Sequence, residues 1–193
     1  MALMIFGLAV FFAVHTVTTL RDRRAAVISR LGALPYRGVH ALLSIIGIVL
    51  VAKGYGDYRA AGYVPLWDPP RGMRHVAVLL MWPAFIALAA AYAPAGVIKA
   101  KLKHPMLVGV KTWALAHLLA NGDVGSVILF GTFLGWSVYD RIAVKRRAAA
   151  EGAPVVEAAG FGRGDVAALA AGTVAYAAMM KLHPLLIGVS VFG

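Results

Sequence analysis

Six histidines are distributed along a chain of 193 residues. His15 and His117 fall well inside apolar stretches, while His40, His75, His104 and His183 fall near the ends of such stretches. An imidazole surrounded by hydrocarbon has no water to bond, so an embedded one needs a hydrogen bond, a metal or a cofactor iron. Trp113, His117 and Asn121 are spaced by four and form one stripe on a helix, and His104 and Lys111, seven apart, form another. At 1.5 Å per residue, His117 lies about 20 Å along the axis from His104. His15 precedes Arg21 by six residues and lies about 9 Å from the end of its own stretch. His40 shares a stripe with Ser44 and Gly47, in the same half as His15. Two pairs thus stand open as ligands of one iron: His15 with His117, or His15 with His40.

Each of these residues also has a plain structural reading. An embedded histidine often serves only as a hydrogen bond between helices, worth about 0.6 kcal/mol. Lys111 can extend its stem to the headgroups, and Asp123 can mark a helix end beside Gly122. His75 and His183 read as interface residues, and Trp67 and Trp82 as belt or packing residues.

The elements that must hold these side chains are membrane spans. Hydrophobic residues make up 61% of the chain and charged ones 14%, with a mean hydropathy of +0.80. That composition cannot clothe a water-soluble domain. A span takes about 20 apolar residues. Candidates run over roughly 2–20, 38–53, 75–94, 105–120, 124–139 and 165–182. The expected fold is therefore an all-α polytopic transmembrane helix bundle of about six spans, or five, forming a single domain over 1–193. Pro105 suits a first helical turn, where its missing N–H would be unpaired anyway.

The stretches 21–37, 95–104 and 140–164 carry five, three and five of the nineteen Lys and Arg residues, whereas 53–74 carries four and 121–123 none. An excess of positive charge marks cytoplasmic loops, which places both termini outside. Basic residues confined to short loops also argue against nucleic-acid binding, since no basic stripe interleaved with aromatics forms. The absence of cysteine excludes disulfides, iron–sulfur clusters and thiolate ligands. Met1 to Leu20 lacks a basic start and a small-x-small cleavage site, so it reads as an uncleaved first helix. Residues 54–74, with Tyr55, Tyr58, Tyr63, Trp67 and Pro69-Pro70, read as an interfacial segment, and 148–164 as a flexible cytoplasmic connection. His104-Pro105-Met106-Leu107-Val108-Gly109-Val110 is echoed by His183-Pro184-Leu185-Leu186-Ile187-Gly188-Val189, as chance or as a shared way of opening a helix.

Lys103-His104-Pro105-Met106, followed by Trp113-Ala114-Leu115-Ala116-His117-Leu118-Leu119-Ala120-Asn121-Gly122-Asp123, resembles the NnrU family of bacterial inner-membrane proteins. His15 to Leu20-Arg21, Tyr36-Arg37 to Ser44, and the closing His183-Pro184-Leu185-Leu186-Ile187-Gly188-Val189 are similar to that family as well, so the resemblance covers most of the chain. The family is related to zeta-carotene isomerase, a membrane enzyme containing haem b. The resemblance implies haem b between helices with His15 and His117 as axial ligands, near His40, Trp113 and Asn121. It also implies a role in nitrite and nitric oxide metabolism, with isomerase-like chemistry as one form. The isomerase pattern carries a cysteine where this chain has Ala114, and its acidic, tyrosine-rich stretch has no counterpart in 148–164. The alternatives are a non-enzymatic assembly or scaffolding partner of a nitric oxide reductase complex, alone or as an oligomer, and a lipid-linked methyltransferase or small-molecule transporter built on His104 and Lys111. The methyltransferase reading rests on the His-Pro helix opening, which resembles the isoprenylcysteine carboxyl methyltransferases.

Overall fold

A helix that is apolar on every side has no reason to fold against water, and α1 (Ala2–Thr19) is such a helix. In the computed structural model, which describes residues 1–152 and 160–191, it is followed by α2 (Arg21–Leu31), α3 (Ala33–Ala60), α4 (Gly72–Tyr92), α5 (Val97–Leu102), α6 (Pro105–Ala120), α7 (Val124–Ala150) and α8 (Arg163–Ile187). No strand occurs among the described residues; the only extended pairing there is an isolated bridge between Pro65 and Asp123. Five helices, α1, α3, α4, α7 and α8, are long and apolar enough to cross a membrane. The sixth apolar segment, α6, has 16 residues and reaches about 24 Å, short of a hydrocarbon core of about 30 Å. Large apolar side chains point outward on these helices: Phe6 is 61% exposed, Ile45 62%, Leu79 68% and Val174 68%. In water such a surface would aggregate; in lipid it is the solvated face.

Several expected boundaries move. The second span begins five residues earlier and continues through Ala60, so Tyr55 and Tyr58 belong to a helix and not to a loop. The fifth runs on to Ala150, which makes 140–150 helical, whereas most of the connection expected over 148–164 lies outside the described residues. The echoed His-Pro pairs differ in use. His104 occupies the N-cap position of α6 with Pro105 in its first turn, while His183-Pro184 falls near the end of α8. Gly188 closes α8 in the left-handed conformation.

The described chain divides into two compact units. The first comprises Met1–Pro65 and Asp123–Thr132. Here α1 and α3 pack backbone to backbone. A Cβ on Gly7 would stand 2.7 Å from the Val51 nitrogen, one on Gly47 would stand 2.9 Å from Phe11 Cβ, and one on Gly54 would run into Met4. Helices in lipid gain from dispersion rather than water release, so small residues at the crossing set how close they come. Between these helices the chain turns through Gly32, whose φ of +87° suits only glycine. The second unit comprises Leu66–Gly122 and Phe133–Gly193. In it α4 packs against α6 and α8, and Ala84, Ala87 and Ala90 of α4 are buried. Trp82 donates to Thr173 Oγ1 at 3.0 Å and Tyr176 donates to the Val78 carbonyl at 3.2 Å, both tying α8 to α4.

Candidate functional site

His15 and His117 are held in the same way by their own helices. His15 Nδ1 lies 2.7 Å from the Phe11 carbonyl, and His117 Nδ1 lies 2.8 Å from the Trp113 carbonyl, each one turn back. A carbonyl only accepts, so Nδ1 carries the proton in both rings and Nε2 carries the lone pair. That tautomer is the one a metal-ligating histidine adopts when its second nitrogen is anchored on the backbone. Phe11 stacks on His15 with ring centroids 4.0 Å apart, and Trp113 lies 5.2 Å from His117. Asn121 donates from Nδ2 to the His117 carbonyl at 2.8 Å. Trp113, His117 and Asn121 therefore form one hydrogen-bonded face of α6, as their spacing requires.

His40 stands beside His15 in the first unit, with ring centroids 4.9 Å apart. Two imidazoles on opposite faces of one iron, with bonds of about 2 Å, need their centroids roughly 6 Å apart. The rings of His15 and His40 stand closer than that as they lie in this structure. His40 Nε2 is buried and has no hydrogen-bond partner among the described residues, and the same holds for the hydroxyl of Tyr36, one turn earlier. Both line an open hollow of about 290 Å³ with Thr18, Arg24 and Arg37. His15 belongs to the first unit and His117 to the second.

The remaining candidates take structural places. His104 occupies the N-cap position of α6 without a side-chain capping bond, and burial, reinforced by the Arg141 guanidinium, pushes its imidazole pKa below the ordinary histidine range while Asp140 acts the other way. Lys111 is half-buried on α6 and makes no hydrogen bond or ion pair among the described residues. Asp123 does not end a helix but begins one. Its Oδ1 accepts the Ser126 N–H at 3.0 Å, two residues into α7, and its Oδ2 accepts the Ser126 hydroxyl. The Ser126 hydroxyl also meets the Tyr55 hydroxyl at 2.7 Å. His183 Nδ1 bonds the Val189 carbonyl at 2.7 Å, and His75 lines a second hollow with Asp68, Arg71 and Arg74.

Two groups went unnoticed in the sequence. Asp165, 1% exposed, accepts the backbone N–H groups of Val97, Ile98 and Gly162 at 3.0, 2.7 and 2.9 Å. Only its last contact has a sequence signature, the Gly162-x-x-Asp165 spacing of a capping box. The Tyr36 hollow has none, because it forms where α1, α2 and α3 meet.

Among the described residues no group of three His, Cys, Asp or Glu comes together that could hold a metal ion. A haem iron makes a smaller demand, because the porphyrin fills four positions and the protein supplies one or two. The anchored tautomers of His15 and His117 meet that demand, so these residues fit a haem; Ala114, 0% exposed, offers no ligand atom. An all-helical chain with five helices able to cross a bilayer is a polytopic membrane protein. The family model for NnrU protein matches residues 3–191, and the chain belongs to that family. Neither a curated protein nor a solved structure matches it.

Proposed function

We propose that this membrane protein binds haem b through Nε2 of an embedded histidine, His15 or His117, and serves nitrite and nitric oxide metabolism in a bacterial inner membrane. The observation that carries the reading is the paired anchoring of Nδ1, at 2.7 Å on Phe11 and 2.8 Å on Trp113, which fixes the ligating tautomer before any metal arrives. Trp113 and Asn121 support the second of these histidines by holding its ring and its carbonyl. When bound, a ferrous haem supplies a centre that takes nitric oxide as a ligand. The absorption spectrum of protein purified from haem-sufficient cells tests the proposal. A Soret band is expected, shifted or lost in His15→Ala or His117→Ala and kept in His75→Ala. A chain that folds and shows no Soret band overturns haem binding, and a band unchanged in both single variants overturns the ligand assignment.

A further inference from the structure

The hollow at the meeting of α1, α2 and α3 collects donors, and no acidic side chain is among the described residues that line it. Arg24 and Arg37 line it, and neither makes an ion pair among the described residues. Arg24 lies over the Tyr36 ring, 5.8 Å from its centroid, so its charge stands at the mouth of the same cavity. Inside, the Tyr36 hydroxyl and His40 Nε2 are buried without hydrogen-bond partners among the described residues, and Tyr36 as a whole is only 9% exposed. Orphaned polar groups at such burial are costly unless something comes to meet them. The fifth lining residue, Thr18, already donates to the His15 carbonyl at 2.6 Å, which leaves its oxygen as an acceptor only. A hollow of about 290 Å³ has room for about ten waters' worth of volume, enough for a tetrahedral oxyanion with substituents.

We propose that this hollow binds the phosphate of an anionic phospholipid. Arg24 and Arg37 supply the charge, and the Tyr36 hydroxyl and an Nε2-protonated His40 supply the buried donors. The surroundings favour a lipid over a free ion. Five arginines gather over residues 21–37, immediately past an apolar span, which is where anionic headgroups are attracted. Leu34 is 79% exposed and Val39 49%, and both lie within three residues of Tyr36 along α3, so acyl chains meet apolar side chains in the same turns of the helix. The assignment does not depend on haem, since His40 would here carry its proton on the nitrogen an iron would need.

The test is native mass spectrometry of the full chain in detergent, with phosphatidylglycerol or phosphatidylcholine added. One phosphatidylglycerol is expected to be retained at least tenfold better than phosphatidylcholine. Arg24→Gln with Arg37→Gln should abolish that preference, and Tyr36→Phe, which keeps the ring and removes only the hydroxyl, should weaken retention severalfold. Arg71→Gln with Arg74→Gln, on a different hollow, should leave it unchanged. Equal retention of the two lipids, or retention unaffected by both the double arginine variant and Tyr36→Phe, overturns the proposal. Displacement of the lipid by millimolar inorganic phosphate overturns the lipid as the source and leaves a free anion in its place.

Discussion

Lys103 has the least comfortable backbone of any described non-glycine residue: its φ of +61° is the one positive value among them. With ψ at −47° and the His104 N–H on the Leu102 carbonyl at 2.7 Å, it forms the γ-turn of the rarer, strained hand. The turn aims Pro105 into the first turn of α6, which in turn fixes the face that carries Trp113, His117 and Asn121. Lys103→Gly should relieve this strain and stabilise the protein by about 1 kcal/mol, read as a higher thermal midpoint in detergent. Asp123 offers the opposite case. Removing its carboxylate takes away both the α7 cap and the acceptor for the buried Ser126 hydroxyl, so Asp123→Ala should cost about 1–2 kcal/mol by the same measurement. The Asn121-Gly122-Asp123 stop was legible in the sequence. Which side of it Asp123 serves was not, because a cap and a terminator use the same residue types.

At the scale of elements, the α1–α3 contact depends on residues without side chains. Gly7→Ala should place a methyl against the Val51 nitrogen and the Gly47 carbonyl, where neither backbone can yield, and cost about 1–3 kcal/mol. Gly38, on the same α3, has nothing within 4 Å of an added Cβ, so Gly38→Ala should be neutral or stabilising by up to about 1 kcal/mol. Equal effects from the two substitutions would remove the packing argument. Asp165 plays the corresponding role in the second unit, joining the first turn of α8 to the start of α5 through three N–H groups. Asp165→Ala should lower the thermal midpoint further than Asp123→Ala, because it leaves donors from two separate segments without their shared acceptor.

For the whole molecule, the distribution of basic residues predicts sidedness. The chain has no cysteine, so a single introduced thiol reports its own location. In cells expressing the protein, an impermeant maleimide should label Ala61→Cys, just past α3, from outside. Ala25→Cys, in the arginine-rich α2, should react only after permeabilisation. Labelling in the reverse order would invert the topology.

The sequence by itself determined that the chain is a set of membrane-length helices, because span length and apolar content are counted along the chain and need no partner. It also determined the Trp113–His117–Asn121 face, since spacing by four is a property of one helix. Only the tertiary structure decided that His15 and His40 stand side by side, that Tyr36 and His40 share a hollow with two arginines, and that Asp165 reaches back to Val97 and Ile98. The physical reason is common to all three. A helix that is apolar all round carries no stripe to say which side faces a neighbour, so its rotation about its own axis is settled by where small residues let backbones meet. Gly7, Gly47 and Gly54 make that choice for α1 and α3, and the positions of His15, His40 and the Tyr36 hollow follow from it.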